Sequence, residues 1–212
     1  MPHLALLGDS VLDNGIYARP SPDTAELLRR SLGEGWTVAL HAQDGSRMRD
    51  VLGQLGGGLV DPPDVTVLSA GGNDAVDHVG IMYPRSAVNV AVMEELHGIA
   101  DAFGRTYQGV VEAVAARTSR LIVCTVYEPP LADPDTARLV RVPLSLLNDQ
   151  IVRAAVRTGC DVLDLRAVFS EPSDFVLEIE PSAAGAGKLA AAIARQVDSA
   201  GSHPVGSRIF GA

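Results

Sequence analysis

The sequence predicts an α/β chain built on a parallel, five-stranded sheet with helices on both faces. Three observations predict it. Short apolar runs recur along the chain, mostly rich in leucine or β-branched residues. Those runs are continuous rather than alternating, as strands covered on both faces require. Amphipathic stretches separate them, and the strand–helix alternation repeats five times, the pattern of a parallel sheet sandwiched between helices.

The elements follow in order. LALL (Leu4–Leu7) is the first strand. Ser21-Pro22-Asp23 is a helix start signal, with a cap, a proline in the first turn and an early carboxylate. Ala25, Leu28 and Leu32 then share a face, and Gly33 can stop that helix. Trp36–Leu40 is the second strand and Met48–Leu55 a short helix. The third strand is DVTVLSA (Asp64–Ala70), and a long helix fills most of Val88–Arg117. RLIVCTV (Arg120–Val126) is the fourth strand, followed by a helix over Pro143–Thr158. DVLDL (Asp161–Leu165) is the fifth strand, and Ser182 caps a last helix over Ser182–Val197. The segments Asp74–Ala87 and Glu128–Pro143, the second with Pro129, Pro130, Pro134 and Pro143, read as irregular. Both follow strand C-termini, the edge where open α/β sheets bind ligands, so they are the expected pocket walls.

Composition bounds the function. The 212 residues suit one domain, spanning 1–212 with 201–212 as a C-terminal tail. Lys and Arg total 17 against 26 Asp and Glu, a formal net charge of −9. An acidic chain without a basic run is poorly suited to nucleic acid or an anionic membrane. The start MPHLALLGDS has neither a basic region nor a long apolar stretch, and no segment approaches a membrane span, so a cytoplasmic protein is expected. Cys124 and Cys160 lie in or beside apolar runs without metal-type spacing and read as buried thiols.

The informative stretch is ALLGDSVLDNG (Ala5–Gly15). Ser10 follows the first strand, with Gly8 allowing a tight turn before it. Such a turn exposes a hydroxyl and aims backbone N–H groups at a ligand. Alone this is weak, since a serine after a strand is more often a cap than a nucleophile. The next two strand ends add to it. AQDGSRM places Gly45 in a turn, and AGGND places Asn73 just past two glycines. A hydroxyl, a glycine N–H and an Asn amide are the groups acyl transfer needs for attack and for an oxyanion hole. As plain turn residues the three would also be unremarked.

These blocks resemble the SGNH, or GDSL, hydrolases. GDSVLDN (Gly8–Asn14) matches the family's nucleophile block, Gly45 in DGS its second block, and Gly71/Gly72-Asn73-Asp74 its GxND block. The resemblance implies a three-layer, flavodoxin-like fold, an ester, thioester or acetyl group of a small acyl substrate, and no metal or cofactor. It implies Ser10 as nucleophile, with Gly45, Asn73 and the Ser10 N–H around the oxyanion. The family closes on Asp-x-x-His-Pro before a final helix. In VLEIEPSAAGAGKLA (Val176–Ala190), Glu180 stands at the His position and Leu177 at the Asp position. Glu180 is therefore the first candidate base, suited to the task if burial raises its pKa. His78 in the loop after Asn73 ranks second and His203 in the tail third. His3, His41 and His97 read as structural, and Asp13 and Asn14 as residues that order the nucleophile turn. Transfer of the acyl group to an acceptor other than water, and a non-catalytic binding module that keeps the cleft, are the alternative readings.

Overall fold

The computed structural model describes residues 1–56, 62–78, 89–198 and 207–211. Its strands are β1 (His3–Gly8), β2 (Thr37–Leu40), β3 (Val65–Ser69), β4 (Leu121–Cys124), β5 (Asp161–Leu163), β6 (Phe175–Val176), β7 (Glu180–Pro181) and β8 (Ile209–Phe210). The helices are α1 (Gly15–Ala18), α2 (Thr24–Leu32), α3 (Met48–Gly56), α4 (Gly72–Val76), α5 (Asn89–Ala115), α6 (Pro134–Thr158), α7 (Leu165–Val168) and α8 (Ala183–Asp198).

The main sheet has the order β2-β1-β3-β4-β5-β8, and every pair is parallel. The strands are apolar on both faces because both are covered. Leu4, Leu6, Val67 and Ile122 pack under Leu28 of α2 and Leu189 and Ile193 of α8. Leu7, Leu68 and Val123 point the other way, onto Val51 of α3, Tyr107 of α5 and Ile151 of α6. Strand order reverses between β1 and β3, whose Leu4–Gly8 and Val65–Ser69 run in register. That switch point is where open α/β sheets hold ligands.

The structure differs from the sequence reading in four places. The sheet has six strands rather than five. Ile209–Phe210, in the expected tail, pairs with β5, where Val162 N donates to the Arg208 carbonyl (2.7 Å) and Asp164 N to the Phe210 carbonyl (2.8 Å). The Asp161 carboxylate draws in Arg208 (2.9 Å) beside the buried Arg120 (3.0 Å). A two-residue strand held by a distant ion pair leaves no apolar run to read.

Helix α6 starts at Pro134, nine residues before the expected Pro143. Asp133 caps it, accepting from Thr136 N at 2.9 Å, with proline at the first position. Pro143 thus lies inside the helix, so much of the segment expected to be irregular is helical. Likewise α2 is capped by Asp23, which accepts from Glu26 N at 2.7 Å, and not by Ser21. Asp74 lies within α4, so that irregular segment begins later, and residues 79–87 of it lie outside the described residues. The last helix is capped as read: Ser182 Oγ accepts from Ala184 N (3.1 Å) and Gly185 N (3.2 Å). Cys124 and Cys160 are free and buried.

Candidate active site

The site is built from two turns and a hairpin. The first turn follows β1. Gly8 has φ +125°, and a Cβ there would stand 1.6 Å from the Ser69 carbonyl oxygen, so only glycine lets β1 pass β3 this closely. Gln54, a polar residue on the buried face of α3, holds the peptide groups on both sides of this glycine. It accepts from Gly8 N (2.8 Å) and donates to Gly8 O (2.8 Å). Beyond Ser10 the chain is tied by Asn14, fully buried, which donates to Val11 O (3.2 Å) and Thr24 Oγ1 (2.7 Å) and accepts from Thr24 N (3.0 Å). Asp13 accepts from Asp44 N (2.9 Å), linking the first turn to the one after β2. Both residues thus have the structural role expected of them.

The second turn follows β3. Gly71 has φ +108° and passes against the Phe103 ring. Asn73 in α4 donates from Nδ2 to the Ser46 carbonyl at 2.9 Å. This joins the turn carrying Asn73 to the turn carrying Gly45 and leaves one Asn73 amide hydrogen unused by that bond. Ser10 and Asn73 line the same cleft. Gly45, with φ +77°, is not among the residues lining that cleft; it lies on another groove with Ser46 and Gln54, linked to Asn73 through the Ser46 carbonyl. Among the described residues, neither the Ser10 nor the Gly45 N–H enters a backbone–backbone hydrogen bond.

The hairpin pairs Phe175 with Pro181 and Val176 with Glu180. It brings Glu180 into the cleft that Ser10 lines, close enough for the Ser10 hydroxyl to favour the ionised carboxylate. Oε2 of Glu180 is buried without a hydrogen-bond partner. Burial raises the Glu180 pKa above the usual carboxylate value; the Ser10 hydroxyl lowers it and the Asp44 charge raises it. Tyr127 donates its hydroxyl to the Ile179 carbonyl, and Ala132 N donates to Glu178 Oε1 (3.0 Å), pinning the hairpin tip. Asp174, fully buried, pins its base: its carboxylate accepts from Ser170 N (3.0 Å), Glu171 N (2.9 Å) and Lys188 Nζ (2.7 Å).

A second carboxyl group lines the cleft. Asp9 is 3% exposed, and its pKa is pushed up to about 7, chiefly by burial and in small part by the Glu180 charge. Its Oδ1 accepts from Ser69 Oγ (3.1 Å) and Val11 N (3.2 Å). The histidines stand apart from Ser10 to different degrees. His78 is exposed at the cleft wall. His97 faces an exposed Asp101 at 3.7 Å, His3 sits at the start of β1, and His41 lies on the groove with Gly45. His203 lies outside the described residues. No group of three or more His, Cys, Asp or Glu side chains among the described residues gathers to hold a metal.

Ser10 follows β1 and Asn73 follows β3 at one edge of a parallel sheet, and Glu180 stands before the last helix. The GDSL-like Lipase/Acylhydrolase family matches residues 6–188. The chain belongs to that family. It is an esterase or acylhydrolase of the GDSL type, on the three-layer fold its sequence predicts. Similar solved structures cover nearly the whole chain. An extracellular lipase from Streptomyces rimosus shares 18% identity at a TM-score of 0.69, over 94% of this chain and 100% of that one. A phospholipase A1 from Streptomyces albidoflavus shares 17% at 0.67, over 93% and 98%. An acetylxylan esterase from Geobacillus stearothermophilus shares 21% at 0.61, over 92% and 94%. At such identities these likenesses show the fold. No curated protein matches the chain. Among the described residues of this GDSL-type chain, no helix is long and apolar enough to cross a membrane.

Sequence reasoning did not find Asp9, Gln54 or Asp174 as parts of the site. For Gln54 a signal existed: it stands between Val51 and Leu55 on a face that is otherwise apolar.

Proposed function

We propose that the chain hydrolyses carboxylic esters or thioesters with Ser10 as nucleophile and Glu180 as its base, without a third residue. The observation that carries this is that the half-buried Glu180 carboxylate and the buried Ser10 hydroxyl share one cleft and interact there. A serine hydroxyl needs an adjacent base, and a carboxylate with a raised pKa is closer to that task than an ordinary one. Ser10 Oγ attacks the acyl carbon as its proton passes to Glu180. The oxyanion is met by the Ser10 N–H, the Gly45 N–H and the remaining Asn73 amide hydrogen. Glu180 returns the proton to the leaving group, and water then repeats the sequence on the acyl–Ser10 ester.

A fluorophosphonate tests this, since it labels only an activated serine. Peptide mapping should find the label on Ser10. Asn73→Ala should slow labelling by roughly 10²-fold, as expected when one oxyanion donor is removed. Absence of label at Ser10 in the folded chain would favour the binding-module reading.

A further inference from the structure

Three aspartates of the described chain are buried, and two of them meet a cation. Asp161 meets Arg120 and Arg208, and Asp174 meets Lys188. Asp9 is held differently. Among the described residues its carboxyl group takes hydrogen bonds from neutral donors, Ser69 Oγ and Val11 N, and both fall on Oδ1. The ionisable groups that act on it come from the layers around it: Glu180 of β7, Tyr107 of α5, Cys124 of β4 and Tyr127 beyond β4. All four are acids, so none of them offsets a charge on Asp9. A carboxylate buried in such company is costly, and the group keeps its proton instead.

The place of Asp9 gives that proton a consequence. Asp9 precedes Ser10 in the chain and lines the cleft with Ser10, Asn73 and Glu180. Its Oδ2 lies on the side of the Asn73 turn: a Cβ at Gly72, the residue before Asn73, would stand 3.9 Å from it. In the proposed reaction the attack of Ser10 creates an oxyanion that Asn73 meets. Two like charges about 6 Å apart, at the effective dielectric of a protein site, oppose each other by roughly 10²-fold in rate. Glu180 must be ionised to take the Ser10 proton, whereas Asp9 must be neutral while the oxyanion forms. The two carboxyl groups of one cleft thus have opposite requirements.

We infer that Asp9 serves the reaction as a neutral carboxylic acid, and that release of its proton switches the hydrolase off. The inference rests on the hydrolase reading above and deepens it by naming the group that sets the alkaline limit of activity. Burial pushes the Asp9 pKa up to about 7, so the neutral form prevails below that pH and the charged form above it. The profile of kcat/KM should therefore rise as Glu180 ionises and fall as Asp9 does, by at least tenfold between pH 6.5 and pH 9.

Two measurements on the full chain test this. Carbon-13 NMR of the aspartate carboxyl groups should show one resonance that titrates between pH 6 and pH 8, in step with the fall of kcat/KM on a neutral ester. No aspartate titrating in that range would overturn the inference without recourse to any variant. Asp9→Asn keeps an oxygen for Ser69 and Val11 and cannot ionise. Its ratio of kcat/KM at pH 9 to that at pH 6.5 should be at least tenfold higher than the wild-type ratio. An unchanged ratio in the folded variant would overturn the inference. So would a folded variant inert at every pH, since the reaction would then need the charged carboxylate. If the resonance titrates but the wild type turns over no ester and Ser10 takes no fluorophosphonate at any pH, the hydrolase reading falls and this inference falls with it.

Discussion

The turn carrying Ser10 and the hairpin carrying Glu180 meet at one cleft but are held in different ways. The Ser10 turn is fixed from inside the core. Gly8 is pressed against Ser69, Gln54 grips both sides of that glycine, and Asn14 closes the turn, all at buried positions. The hairpin is fixed from outside the sheet, by Asp174 at the base, by Phe175 against Tyr127 and Phe169, and by Tyr127 and Ala132 at the tip. Between them Leu177 and Glu178 adopt φ of 49° and 67°, a conformation that ordinary side chains disfavour, and Leu177 is 77% exposed. In the proposed mechanism the nucleophile and its oxyanion donors therefore belong to the framework, while the base is delivered by an attached element. The residue at the position of the family's histidine can then change without disturbing the turns that hold the other groups.

The contrast is broken most severely at Gly8. Gly8→Ala places a methyl group on the Ser69 carbonyl in a backbone region closed to alanine, so the chain should fail to fold or lose several kcal/mol of stability. A melting temperature near that of wild type would show that the Ser10 turn is not locked.

A smaller effect concerns Asp9, on the same turn. Its pKa rises on folding from 3.8 to about 7, so between those values the folded chain holds a proton that the unfolded chain has released. Stability from this group is complete below pH 4 and falls as pH rises to 7, by up to about 4 kcal/mol. Glu180, raised in the same direction, adds to that fall. Asp9→Asn keeps the acceptor for Ser69 and Val11 and removes the titration. Melting curves from pH 4.5 to 7.5 should lose at least half of the wild-type decline. An unaltered decline would show that Asp9 is not the group responsible.

The smallest effect is expected at the hairpin. Leu177→Gly relieves the positive φ but frees the unfolded chain, and the two should nearly cancel, leaving stability within about 1 kcal/mol. A loss above 2 kcal/mol by chemical denaturation would mean that the exposed leucine has a packing role absent from this account.

The legible and the hidden parts of the site divide along the same line. Ser10, Gly45 and Asn73 are readable because each follows an apolar run and lies in a glycine turn, a local signal. Glu180 is readable only by alignment with the family's last block, through its proline and the helix that follows. The residues that hold these groups are hidden. Gln54 acts on Gly8 from 46 residues away, and Tyr127 acts on Ile179 from 52 away. Such pairings are set by how the layers stack, and no local pattern encodes them. The sixth strand and the early start of α6 were hidden for related reasons. Ile209–Phe210 is too short to show a period, and the Asp133-Pro134 start competes with a second proline, Pro143, that reads equally well as a helix beginning.

The central claim is that Glu180 takes the proton of Ser10. Glu180→Gln preserves the size of the side chain and removes its basicity, so kcat on a neutral ester should fall by roughly 10²–10⁴, the usual share of general-base catalysis, with KM little changed. His78→Ala, measured alongside, should fall less than threefold. Full activity in Glu180→Gln together with loss of activity in His78→Ala would contradict the account and place the base on the loop after Asn73.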